Sequence, residues 1–142
     1  MIEWILPLEI VSPNKNQHWT KRHSLNKKNA NIISHKWLLE DERPTPPCFV
    51  TLQRLYNPKR LQKLWDDDNW IGGCKGIRDS IAALLVPGLA PGRADDAGKG
   101  IKFFYEQLTA NTKGDRIIIM TQDEIDDAAQ DLREIPWTTN AS

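Results

Sequence analysis

The chain has 142 residues, enough for one domain of ordinary size with a modest core. Its 19 basic and 19 acidic residues cancel, no apolar run approaches the roughly 20 residues that a membrane-spanning helix needs, and its two cysteines, Cys48 and Cys74, stand in no paired motif that would build a disulfide scaffold. The neutrality is not local: Lys15, Lys21, Arg22, Lys27 and Lys28 fall in a stretch without acids, whereas Asp123 to Glu134 holds six acids and one Arg133. Met1 to Ile10 carries Glu3 and Glu9 and no basic leader pattern, so a cytoplasmic protein with reduced thiols is the expectation.

Trp4 to Val11 reads as a first strand, with Pro7 marking an edge or bulge. Asn14 to His23 is polar, basic and aromatic and reads as an ordered loop. Ser24 is placed to cap a helix running to about Glu40, with Ala30, Ile33 and Trp37 as its buried stripe. Pro44, Pro46 and Pro47 end it. Cys48 to Tyr56 reads as a strand and Asn57 to Arg60 as a turn. A second helix beginning near Asn69 follows, with Ile77, Ile81, Leu84 and Leu85 on one face. Val86 to Gly100 reads as a loop. Ile101 to Thr109 and Asp115 to Thr121 read as two strands of a hairpin, and Asp123 to Leu132 as a short acidic helix. The order β-α-β-α-β-β predicts an α/β or α+β fold: a mixed sheet with two main helices.

The chemistry concentrates in Trp65-Asp66-Asp67-Asp68-Asn69, Gly72-Gly73-Cys74-Lys75 and Asp95-Asp96. Carboxylates gathered this closely repel one another unless a cation sits among them. Hard oxygen donors suit Mg²⁺ or Mn²⁺, ions that activate water against a phosphodiester. In an extended segment Asp66 and Asp68 point the same way and can share a metal. In a helix from Asn69, Lys75 returns to the face of Asp68, where an ammonium offsets charge building on a phosphate. Helix capping by Asp66 to Asp68 explains the same residues equally well. Asp95-Asp96 alone is an ordinary acidic loop; its interest is that it follows the second helix and precedes a strand. His18-Trp19-Thr20-Lys21-Arg22-His23 mixes cations, imidazoles and an indole, the side chains that phosphates and stacked bases use, or else a wet surface with a buried Trp19. The histidines and cysteines lack zinc-ligand spacing. Gly72, Gly73 and Gly76 fit no phosphate-loop or dinucleotide fingerprint and read as room for close backbone approach.

Taken together, these segments resemble the RusA family of Holliday junction resolvases, common in phages and prophages. The resemblance spans residues 1–122, with 123–142 as an acidic tail of the same domain. It rests on Ser12-Pro13-Asn14 with His18-Trp19 and Lys21-Arg22, then on Asp66-x-Asp68-Asn69, Lys75, Asp79 four residues later, and Asp95-Asp96. The chain departs from the family in a longer segment between Asn69 and Lys75, in a longer loop from Val86 to Arg93, and in Trp65, where a basic residue is common.

The resemblance implies a homodimeric, Mg²⁺-dependent (or Mn²⁺-dependent) endodeoxyribonuclease that cuts four-way junctions or other branched DNA by paired phosphodiester hydrolysis, one strand per subunit. It implies Asp66, Asp68 and Asp96 as metal ligands, Asp95 as a further ligand or an orienting group, and Lys75 as the essential lysine. Lys15, His18, Trp19, Lys21, Arg22, Lys27, Lys28, Lys59 and Arg60 are the candidate DNA contacts. The rival expectations are a branched-DNA binder of the same fold that does not cut, and a protein-protein interaction module.

Overall fold

The computed structural model describes residues 1–11, 19–89 and 100–134. The elements in chain order are β1 (Ile2–Leu6), α1 (Trp19–Leu38), β2 (Cys48–Tyr56), one 3₁₀ turn (Pro58–Arg60), α2 (Asp67–Gly73), α3 (Lys75–Leu85), β3 (Ile101–Thr109), β4 (Gly114–Thr121) and α4 (Gln122–Glu134). The mixed α+β class expected from the sequence is what forms.

The four strands make one sheet in the order β1-β4-β2-β3. β2 runs parallel to β3 and antiparallel to β4, and β4 is antiparallel to β1. The expected β3–β4 hairpin is therefore corrected: both strands exist, but β2 lies between them. The four residues 110–113 cross over the end of β2, where the Ala110 N–H donates to Tyr56 O at 2.9 Å. Two strand spacings are roughly 10 Å, a distance four residues can bridge. The physical reason is burial. Cys48, Val50 and Leu52 of β2 are at most 2% exposed, so β2 takes a partner on each edge.

β1 is shorter than expected. Pro7 has no N–H to give, and the ladder stops at Leu6. The chain stays docked nevertheless. Leu8 is buried, the Glu9 N–H donates to Asn29 Oδ1 at 3.0 Å, and Asn29 Nδ2 donates to Glu9 O at 2.8 Å. A buried side-chain amide of α1 thus continues the pairing that the strand abandons.

α1 begins at Trp19 rather than Ser24, so Trp19 to His23, expected as loop, is helix. Asn26 lies against Gly76 of α3 so closely that a Cβ there would stand 2.7 Å from Asn26 Oδ1. The buried stripe is Asn29, Ile33 and Trp37, with Ala30 only half-buried. On α3 the predicted stripe holds: Ile77, Ile81 and Leu85 are buried and Leu84 is half-buried. These helices cover one face of the sheet, where Ile2, Trp4, Leu6, Val50, Leu52, Ile101, Ile117 and Ile119 form a common core with them.

Both cysteines are buried and free. Burial raises the Cys48 thiol to about 11 and pushes Cys74 up as well, so both stay protonated near neutrality. Among the described residues no helix is long and apolar enough to cross a membrane.

The core assignment has a direct consequence. Ile119→Ala, at a fully buried position, should cost about 2–5 kcal/mol of unfolding free energy. Ile5→Ala, on the open face of the sheet and 55% exposed, should cost less than about 1 kcal/mol. Urea denaturation of the two variants checks the ordering.

Candidate active site at the start of α2

Asp66, Asp67 and Asp68 are all exposed. Asp66 is the N-cap of α2, with φ −59° and ψ 146°, and its carbonyl accepts from the Trp70 N–H at 3.0 Å. Its carboxylate makes no capping bond, so that side chain is not consumed by the helix. Asp67 and Asp68 occupy the first turn, where negative charge complements the helix dipole. The extended geometry expected for Asp66 to Asp68 is corrected here, because the helix starts at Asp67 and Asp68 is already inside it.

The expected single helix from Asn69 is in fact two segments, α2 and α3, meeting at Cys74. The Gly72-Gly73 pair weakens the helix at this point. The turn still continues through the joint: Cys74 keeps φ −79° and ψ −6°, its N–H reaches Trp70 O and Ile71 O, and the Arg78 N–H reaches Cys74 O at 2.8 Å. Trp70, Cys74, Ile77 and Ile81 form one buried stripe across it. Asp68, Ile71, Gly72 and Lys75 are exposed at the complementary spacing. The shared side of Asp68 and Lys75 thus survives the break. Gly73 and Gly76 have the close neighbours expected of them. A Cβ on Gly73 would stand 3.0 Å from Ile10 Cγ2 and 3.2 Å from Val11 O.

A cleft of about 340 Å³ lies between the end of β1, the first turns of α1 and the α2–α3 joint. Arg22 and Asn26 line it from α1, and Lys75, Gly76 and Asp79 from α3. Arg22 and Lys75, singled out in separate motifs, therefore share one cavity. One carboxylate oxygen of Asp79, Oδ1, is buried without a hydrogen-bond partner among the described residues. Lys21, Arg22, Lys27 and Lys28 are exposed along α1, and Lys28 is paired with Glu9, whose carboxyl it holds below the ordinary value. Lys59 and Arg60 are exposed on the 3₁₀ turn before α2. Lys15, His18, Asp95 and Asp96 lie outside the described residues, and of Trp19 only its place at the start of α1 is described.

Three functional candidates escaped the sequence reading. Gln107 of β3, Arg54 of β2 and Asp115 of β4 stand in register across adjacent strands. Gln107 grips the residue before the acidic cluster: Trp65 N–H donates to its Oε1 at 3.0 Å, and its Nε2 donates to Trp65 O at 2.7 Å. The Arg54 guanidinium lies 4.4 Å from the Trp65 ring centroid and donates through Nη1 to Lys63 O at 2.8 Å and to Gln107 Oε1 at 3.2 Å. Trp65 in turn meets the buried Trp70 edge-on, with centroids 6.2 Å apart. The sequence did hold a signal. Arg54, Gln107 and Asp115 fall in phase with the apolar residues of their strands, the positions where polar side chains need a reason.

Two acids of the expected metal set, Asp66 and Asp68, are therefore exposed, oxygen-bearing and two residues apart in the chain, donors that suit Mg²⁺ or Mn²⁺. Among the described residues no group of three or more histidine, cysteine or acidic side chains is gathered for a metal. The third expected ligand, Asp96, is not among those residues. No protein-family model, curated protein or solved structure matches the chain.

Asp115 is 9% exposed, and burial raises its carboxyl from 3.8 to about 7 against the pull of Arg54 and Lys113. Between those pH values the folded protein keeps a proton that the unfolded chain releases, so Asp115 makes stability fall as pH rises through the window. Asp115→Asn should remove this slope and exceed the wild type above pH 7 by about 2–4 kcal/mol. Urea midpoints at pH 5 and pH 8 measure it; parallel pH dependences in the two proteins would contradict the assignment.

Proposed function

We propose that this chain is a metal-dependent endodeoxyribonuclease that resolves Holliday junctions or other branched DNA by paired phosphodiester hydrolysis, acting as a homodimer. The observation that carries the reading is the shared cleft of Arg22 and Lys75, which joins the basic segment to the segment that bears Asp66 and Asp68. A phosphodiester needs such a pairing of cations with acids: cations to hold the anionic backbone, and carboxylates to hold a divalent ion beside it.

Each side chain has a role in this reading. Asp66 and Asp68, with Asp96, are the metal ligands, and Asp95 orients or adds a ligand. When bound, Mg²⁺ or Mn²⁺ supplies Lewis-acid polarisation of the phosphodiester and of the attacking water. Lys75 places its ammonium where negative charge grows on the phosphate oxygens during in-line attack. Arg22, Lys21 and Lys27 hold the backbone, as do Lys59 and Arg60 on the turn before α2. Gln107 and Arg54 keep Trp65, and so the start of α2, at a fixed place on the sheet. Two copies related by a two-fold axis match the symmetry of a four-way junction, so each cuts one strand of like polarity.

Labelled four-way junctions incubated with Mg²⁺ or with EDTA test this. Symmetrically paired nicks that require the metal are expected. Asp68→Asn and Lys75→Ala should each reduce cleavage at least about 100-fold while leaving junction binding in EDTA within a few-fold of wild type. Arg22→Ala should instead weaken binding and lower the slope of log affinity against log salt by about one. Tight junction binding without nicks would support a non-cutting branched-DNA binder, and absence of binding an interaction module.

A further inference from the structure

The turn that precedes the acidic segment exposes apolar side chains that the described core does not include. Leu61 is 93% exposed and Leu64 is 62% exposed. Leu61 also sits in the left-handed region, at φ 61° and ψ 21°, a strained conformation for a residue with a Cβ. Such strain persists only where the surroundings over-determine it.

They do so here. The Asn57 side chain caps the turn by accepting from the Lys59 N–H at 3.0 Å, and the Arg60 N–H donates to Asn57 O at 3.0 Å. Gln62 Oε1 accepts from the Asn57 N–H at 2.6 Å. On the far side, Arg54 holds Lys63 O and Gln107 holds both backbone groups of Trp65. The segment is thus fastened at both ends, and its leucines project from a fixed frame. Lys59, Arg60 and Lys63 surround them, all exposed, and no acid occurs between Asn57 and Trp65.

We propose that this turn is a wedge for the branch point of the DNA, with Leu61 and Leu64 inserted at an unstacked base step and Lys59, Arg60 and Lys63 on the flanking phosphates. The proposal rests on the branched-DNA reading and adds to it the element that recognises the branch. Apolar side chains placed between base steps must offset an unstacking cost of a few kcal/mol in an intact duplex. At a branch point stacking is already interrupted, so the same insertion costs less there, and the difference is selectivity for branched over linear DNA. The position of the turn adds a register. Leu64 is two residues before Asp66, so a branch seated on the leucines is held at a set distance from the carboxylates.

The test uses the full chain and needs no cleavage. A four-way junction with 2-aminopurine at its branch point and a linear duplex of the same sequence are titrated in EDTA. The wild type should raise 2-aminopurine fluorescence and prefer the junction. Leu61→Ser/Leu64→Ser, at exposed positions that leave the core intact, should lose the fluorescence rise and about tenfold in junction affinity, with duplex affinity unchanged. Leu61→Gly should be at least as stable as wild type, because it relieves the left-handed strain, and should still lose part of the fluorescence rise. The wedge is overturned if the double variant keeps both the fluorescence and the preference, or if junction and duplex affinities fall equally. It is also overturned if sedimentation shows that the variant has changed its oligomeric state, which would assign the leucines to a protein contact. A wild type without junction preference removes the branched-DNA reading and the wedge together.

Discussion

The need to cover β2 on both edges governs the rest of the architecture. Its core-facing residues are almost fully buried, so β3 and β4 flank it instead of pairing with each other. That arrangement brings Gln107, Arg54 and Asp115 into one row across three strands. Through the side chains of Gln107 and Arg54, the row then grips the backbone from Lys63 to Trp65. The acidic start of α2 is thus hung from the sheet by side-chain amide and guanidinium bonds, with no strand pairing of its own.

This arrangement also explains how polar groups survive beside the core. Arg54 has the Lys63 carbonyl and the Gln107 carboxamide as acceptors and the Trp65 indole face beside it, and burial still lowers its pKa. Asp115 bears more of the burial cost, which is why its carboxyl titrates so far above its ordinary range. The carboxylates of Asp66 and Asp68 are exposed.

Local pattern made much of this legible from sequence. The apolar runs Cys48 to Tyr56, Ile101 to Thr109 and Asp115 to Thr121 marked β2, β3 and β4 to within a residue, and the Ile77, Ile81, Leu85 stripe marked α3. Partnering was not legible, because no local signal in Asn111-Thr112-Lys113-Gly114 distinguishes a hairpin from a crossing over β2. The packing of α1 on α3 was hidden for a similar reason: Asn26 meets Gly76, a contact between distant segments. Of the candidate site, the acids, Lys75 and Arg22 were found from residue type and order. Arg54 and Gln107 were missed because their value lies in which backbone they reach. Only the fold reveals that.

The proposed chemistry depends on one gathering of charge: Asp66, Asp68 and Asp96 around a single divalent ion. A crystal structure of the protein soaked in Mn²⁺, with the ion located by anomalous scattering, tests it most directly. The predicted result is one ion with carboxylate oxygens of all three residues within about 2–2.5 Å. An Asp96 carboxylate on a separate surface, with no ion at the start of α2, would contradict it.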